Sequence, residues 1–345
     1  MKIALIINDI TFSAGTERAA TNLANNLSRF HDVTVISLMS VNIEPYYTLN
    51  ENVKLQLLNL SFTGKIRYYK SFYKYIKKES DNFDVLIGTN HALNIIISFF
   101  SKKVKTIGCE HINYASATKS TLFIRKLFYK NLVKLVVLTK QDKDKYIEED
   151  NLNNVEIIPN QLSFEVKEIP KYENKRMIAV GRFTLQKGFD ILLDQFHKTI
   201  KDNNWELCLI GDGEMRDEIL AKIKKYNLSD NINMISNTKD IKGEMLKSSF
   251  YIMTSRYEGL PMILLEAQAT GLPIIAFDCP TGPSEVVINN QNGFLIEMEN
   301  NKKFDLKLNE LMNNLSLRVE LGKNAKHDSL RFSEDEIYSL WKKIL

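Results

Sequence analysis

Cysteine is scarce in this chain. Only Cys109, Cys208 and Cys279 occur in 345 residues, too few for a disulfide framework and too far apart for a zinc-type pair. That usage suits a reducing cytoplasm. Long apolar runs are missing as well, and none approaches the roughly 20 residues of a membrane-spanning helix. The N-terminal MKIALIIND reaches Asn8 and Asp9 too early for a secretory signal. A cytoplasmic protein that does not cross a bilayer is expected. The dinucleotide fingerprint is absent too: IGDGE (210–214) offers two glycines where three at fixed spacing are needed. No segment repeats another in sequence, and no nucleic-acid motif is present, so no nucleic-acid partner is expected.

What remains is the composition of a globular protein, 44% apolar and 26% charged. The length is comfortable for two cores. Short apolar segments recur: KIALIIN (2–8), DVTVISL (32–38), VKLQLLNL (53–60), DVLIGTN (84–90), KTIGCEH (105–111), KLVVLT (134–139) and VEIIPN (155–160). A charged, irregular stretch over 161–175 breaks the rhythm. It then resumes with RMIAVGRF (176–183), WELCLIG (205–211), INMISN (232–237), SFYIMTS (249–255), PIIAFD (273–278) and GFLIE (293–297). Near-continuous apolar strands alternating with helical patterns imply parallel sheets covered on both faces. The fold class is therefore α/β, with two doubly wound domains over 1–162 and 163–329. Residues 330–345 read as a final helix packing back on the first domain, opened by Ser333 and Glu336 at capping-box spacing. Ligands of such sheets bind at the carboxyl ends of the strands, so the cleft between the domains is the expected site.

Net charge is only +4, yet it is unevenly spread: 62–134 holds 14 Lys/Arg against 4 Asp/Glu. In GKIRYYKSFYKYIKK, helical periodicity puts Arg67, Lys70, Lys74, Lys77 and Lys78 on one face and Tyr69, Phe72, Tyr73 and Ile76 on the other. FIRKLFYKNLVK repeats the device with Lys126, Lys130 and Lys134. Two readings stand: solvated surface helices packing their aromatics on a sheet, or a basic face that associates peripherally with anionic membrane.

Three motifs carry chemistry. VGRFTLQKG puts Arg182 after a strand and Lys187 before a helix, where two cations and free helix amides suit a diphosphate. IGDGE is a tight strand-to-helix turn. SRYEGLPMILLEAQATG is the most informative: Pro261 fits the first helical turn and Gly271 the C-terminal cap. Glu258 then stands at the helix mouth, beside the amides of Gly259 to Met262, and Glu266 lies inside an apolar run. A glutamate is rarely buried without a partner. Both carboxylates could grip hydroxyls of one extended ligand, or else serve the helix dipole and a buried ion pair.

With VGRFTLQKG, IGDGE, the E-x7-E spacing of Glu258 and Glu266, and GLPIIAFDCPTGPSEVV…NGFLIE in order, the chain resembles glycosyltransferase family 4. These are retaining enzymes of GT-B fold, two facing Rossmann-like domains with an interdomain cleft. The N-terminal half matches more loosely, through AGTERAATNLA and CEH. The resemblance implies that Arg182 and Lys187 hold the donor diphosphate. It implies that Glu258, with Gly259, Leu260, Pro261 and Met262, holds the donor sugar, and that Glu266 binds the ribose. Gly15 matches the loop approaching the diphosphate from the other domain, and His111 a cleft histidine beside the transferred sugar and acceptor.

There are departures from the family pattern. Ser13-Ala14-Gly15 replaces a pair of glycines, and alanine fits there only at negative φ. Ser236-Asn237-Thr238 replaces a small-residue turn, leaving the base contacts open. Asp142 and Asp144 mimic a metal-binding D-x-D, but Thr139 to Asp142 reads as a helix start, and no metal ligand or cofactor is expected. The implied activity is metal-independent transfer of a hexose or N-acetylhexosamine from a nucleotide-diphosphate donor, UDP before GDP, to a glycan or lipid-linked acceptor in surface polysaccharide biosynthesis (lipopolysaccharide or capsule). A nucleotide-sugar epimerase of the same fold and a GDP-mannose-dependent mannosyltransferase remain as alternatives.

Overall fold

The computed structural model describes residues 1–345 except 43, 62–63, 201–203, 237 and 239. Asn237 of the base-side turn and Phe62 at the start of the basic segment thus lie outside the described residues. Contacts divide the chain into two compact units, Met1–Ser163 with Ser333–Leu345, and Phe164–Phe332.

The first unit holds β1 (Lys2–Asp9), β2 (Asp32–Met39), β3 (Lys54–Leu57), β4 (Val85–Gly88), β5 (Lys105–Glu110), β6 (Lys134–Val137) and β7 (Val155–Ile157). All pair in parallel, in the order β3-β2-β1-β4-β5-β6-β7. The apolar runs explain this: Ile3 to Ile7 are buried one after another, as only a strand covered on both faces requires. One face packs on Tyr68, Phe72, Leu93 and Ile97. The other packs on Ala20, Ala24 and Leu27, with Ile337 and Trp341 from the C-terminal helix Glu334–Lys342. The Ser333 side chain caps that helix by accepting from the Glu336 N–H.

The second unit holds β8 (Arg176–Val180), β9 (Glu206–Ile210), β10 (Ile232–Ile235), β11 (Phe250–Met253), β12 (Ile274–Asp278) and β13 (Gly293–Glu297). They too are parallel, ordered β10-β9-β8-β11-β12-β13. Each sheet thus runs outward from its first strand in both directions, reversing between β1 and β4 in one and between β8 and β11 in the other. This is the Rossmann-like winding expected. The expected strands overrun the observed ends where the chain turns away: Gly181 and Phe183 leave β8 to donate to the carbonyls of Ile210 and Asp212.

The basic segment differs from the periodicity reading in three ways. Helix Lys65–Glu79 buries Tyr68, Phe72 and Ile76, whereas Tyr73 is exposed and reaches sideways to the Phe99 and Phe100 rings. Tyr68 takes its place in the core beside Phe72 and Ile76, with Tyr69 packed partly against them. Lys134 opens β6, and its ammonium pairs with Glu156 at 2.6 Å. Arg125, on helix Lys119–Phe128, is buried and ion-paired with Glu110 at 3.0 Å.

Candidate active site

The strand order reverses between β8 and β11, and the loops that follow these two strands meet at the strands' carboxyl ends, where ligands of such sheets bind. Most of the second unit's expected site residues come from these two loops. Tyr251 on β11 ties the strand ends together: its buried hydroxyl donates to the Val180 carbonyl at 3.1 Å and accepts from the Val180 N–H at 3.3 Å.

Beyond β8, Arg182 is exposed. Phe183 turns inward, a short 3-10 turn spans Leu185–Lys187, and Gly188 opens the helix Phe189–Thr199. Gly188 sits at φ 67°, and a Cβ there would meet the Thr254 carbonyl oxygen at 2.0 Å. Only glycine lets the two loops close up this far. Lys187, directly before it, extends its chain past Gly181 and places Nζ 2.7 Å from Glu258 Oε1. This pair joins two residues 71 positions apart.

A second clasp, unread in the sequence, lies beside the first. Arg256 donates to both carboxylate oxygens of Asp190, at 2.9 and 2.7 Å, and to the Leu185 carbonyl at 2.7 Å. That guanidinium holds the Asp190 carboxyl below the usual range. The Arg256 N–H donates to Gln186 O, and the Gln186 side chain to Tyr257 O. A bidentate Arg–carboxylate pair fixes geometry more firmly than a single contact, so the Lys187 turn and the Glu258 loop form one rigid edge. Nothing local marks this, because Arg256 and Asp190 lie 66 positions apart.

Glu258 itself is buried, at 5% exposure. Helix Met262–Thr270 follows, with Pro261 as its extended N-cap rather than a member of the first turn. Pro261 has no N–H to offer, so the free amides at the helix mouth belong to Met262 and Ile263 rather than to an unbroken Gly259–Met262 run. Leu260, Pro261 and Met262 are buried and Gly259 is partly so. Gly271 closes the helix in the left-handed conformation. Glu266 lies within this helix at 0% exposure, between Leu265 and Ala267. The structure therefore brings Lys187 into contact with Glu258, places Arg182 earlier on the Lys187 loop, just beyond β8, and sets Glu266 in the helix behind.

In the first unit, Gly15 opens helix Gly15–Leu27 after β1, and Ala14 before it has φ −124°, which alanine accepts. A Cβ at Gly15 would meet nothing within 4 Å. His111 follows β5 directly. The residue is partly exposed, while its Nδ1 is sealed from solvent with no hydrogen-bond partner among the described residues. Burial pushes its pKa down to about 4, so the imidazole is neutral at pH 7. Before it, Glu110 accepts from Asn94 at 3.1 Å, from Arg125 at 3.0 Å and from the Tyr129 hydroxyl. Asp142 accepts from the Tyr114 N–H at 2.7 Å and, with Thr139 as N-cap of Lys140–Glu148, belongs to a helix start. The turn carrying His111 is thus anchored by buried carboxylates on both sides.

A family model described as glycosyl transferases group 1 matches residues 161–328. The amylovoran biosynthesis glycosyltransferase AmsD of Erwinia amylovora is 33% identical over 358 residues, covering 100% of this chain and 99% of that protein. A Campylobacter jejuni alpha-1,4-N-acetyl-D-galactosaminyltransferase, named for an undecaprenol-diphosphate-linked acceptor, is 27% identical over 100% of this chain and 98% of its own. Among solved structures, a mutant of S. aureus TarM, in complex with fondaparinux, alpha-GlcNAc-glycerol and UDP, superposes with TM-score 0.82 at 16% identity over 99% of both chains. At that identity the likeness is one of fold.

Proposed function

The chain belongs to the glycosyl transferases of group 1 and has their GT-B fold of two Rossmann-like units, and from that premise we propose a family 4 enzyme that transfers a hexose or N-acetylhexosamine from a UDP-sugar with retention of configuration. The acceptor is a glycan or lipid-linked glycan of a surface polysaccharide; the Campylobacter relative is named for an undecaprenol-linked glycan and the Erwinia relative for amylovoran biosynthesis. The observation that carries this reading is the Lys187–Glu258 contact, a cation and a carboxylate at the switch point of a Rossmann-like sheet and at the mouth of a helix.

The second unit is the donor side. Arg182, Lys187 and the free amides of Met262 and Ile263 take the diphosphate, Glu266 the ribose, and Glu258 with Gly259 to Met262 the sugar. As the bond from the anomeric carbon to the diphosphate breaks, negative charge grows on the leaving oxygen and positive charge on the ring. Preorganised cations and helix amides stabilise the first without a metal ion. Glu258 supports the second and orients the sugar. The acceptor oxygen bonds to the anomeric carbon from the face the phosphate leaves, and its proton passes to that phosphate. The first unit is assigned the acceptor side, with Gly15 and His111; a neutral imidazole there accepts or donates a hydrogen bond without adding a cation.

The acceptor chemistry gives the basic segment a role. Phe99 packs against Tyr73 on one helix and Phe128 on the other, joining them into one surface. It exposes Ile66, Phe99, Phe123, Ile124 and Leu127 among Lys70, Lys74, Lys77 and Lys130. No helix among the described residues is long and apolar enough to cross a membrane, and this surface suits peripheral contact with anionic lipid. Flotation with phosphatidylglycerol vesicles at low and high salt tests it; no binding at either retires the contact.

The function is tested by incubating the protein with UDP- and GDP-sugars and following thermal stability, since a ligand of the folded state alone raises it. One UDP-sugar is expected to stabilise, and to yield product once an acceptor is added. Conversion of that sugar without acceptor makes the protein an epimerase instead.

A further inference from the structure

Among the described residues Thr281 is the only β-branched one at positive φ, 61°. A branched Cβ crowds the backbone there, and such outliers persist only where the surroundings over-determine them, often at functional sites. Three contacts do so here. The buried Thr281 hydroxyl donates to the Glu258 carbonyl. The Glu258 N–H donates back to Pro280 O at 3.4 Å. Gly282, at φ 89°, lies so close that a Cβ would come within 1.9 Å of Gly259 O and 2.7 Å of Pro261 Cδ. Glu258 is therefore gripped at its backbone by 280–282 and at its carboxylate by Lys187.

We infer that Thr281 is a positioning residue that sets the aim of Glu258 on the donor sugar, its hydroxyl fixing the Glu258 peptide at the expense of local strain. Glycine would adopt this φ freely and asparagine nearly so, and neither supplies the same short hydroxyl on a stiff branched carbon. The inference rests on the proposed donor site and names a residue that site does not include.

Three variants separate positioning from simple support of the fold. Thr281→Gly releases the strain and removes the hydroxyl, Thr281→Val keeps the branching and removes the hydroxyl, and Thr281→Ser keeps the hydroxyl. A support role lowers stability and activity together. Positioning predicts that Thr281→Gly keeps or raises the melting temperature while kcat/KM for the UDP-sugar falls about tenfold or more. Thr281→Val falls likewise, Thr281→Ser restores most of the activity, and affinity for UDP alone, which lacks the sugar, stays the same in all three. Wild-type turnover with an equally active Thr281→Gly overturns the inference and spares the donor site. Loss of UDP affinity in step with stability also overturns it. If the wild-type protein turns over no nucleotide-sugar, the donor-site reading fails and Thr281 falls with it.

Discussion

Lys187 Nζ lies 2.7 Å from Glu258 Oε1, with the lysine 23% and the glutamate 6% exposed at the side chain. At that depth each charge depends on the other, because a buried carboxylate without its partner is costly. On the proposed reading the pair does more than hold two loops together: it presents one cation and one anion, preorganised, where a sugar diphosphate would divide into charges of opposite sign. Glu258→Gln keeps the shape and discards the anion. We expect kcat to fall by roughly 100-fold, in the range of losing one electrostatic contact to a transition state, with UDP affinity nearly constant. Steady-state transfer kinetics beside UDP calorimetry check this.

Glu266, fully buried in the Met262–Thr270 helix, is proposed to act on binding instead. A hydrogen bond to a charged group contributes about 1.5–3 kcal/mol. Glu266→Gln should weaken UDP binding by roughly 10- to 100-fold while leaving kcat at saturating donor within a few-fold. A fall in kcat with unchanged affinity would move Glu266 out of the nucleotide site.

The Glu110–Arg125 pair makes a stability prediction. Both side chains are almost completely buried, at 3% and 2% exposure. Removing one partner strands the other, at about 3–5 kcal/mol. Arg125→Met should lose that much in urea denaturation, and Glu110→Gln added to it should recover a large part. Burial pushes the Glu110 carboxyl up, with Arg125, Tyr129 and Asn94 pulling the other way.

His111 supplies a pH signature. Its folded pKa is lowered from 6.5 to about 4 by burial, so the unfolded chain binds the proton more tightly. Between these values stability rises with pH: the contribution is intact above about 6.5 and is lost as the solution is acidified towards about 4. His111→Asn should flatten this part of the stability profile, read by denaturant titration at several pH values. Parallel wild-type and variant profiles would mean that the ring is solvated in the folded state.

Much of this is legible in sequence. Both parallel sheets follow from apolar runs such as Ile3 to Ile7, and the Met262 helix from its Gly271 stop. The Thr139 and Ser333 caps also read correctly, because capping is decided within four residues. Pairing across the fold is not legible. Lys187 with Glu258, and Asp190 in the first turn of helix Phe189–Thr199 with Arg256, are brought together only by the β8–β11 neighbourhood. In sequence Arg125 is one more cation of the basic segment, although Leu122, Arg125 and Tyr129 share one helical stripe that faces the core; that spacing is the available signal. Thr281 carries none, since its strain is a property of φ and not of residue type.

The most direct test concerns the cation. Isothermal titration of the stabilising UDP-sugar into the wild-type protein and Lys187→Ala, with transfer rates measured on the same samples, reads Lys187 as a diphosphate ligand. We predict weaker donor binding and a loss of about 2–4 kcal/mol in transition-state stabilisation, some 30- to 1000-fold in kcat/KM. Equal binding and equal kcat/KM in a folded Lys187→Ala protein would contradict the account.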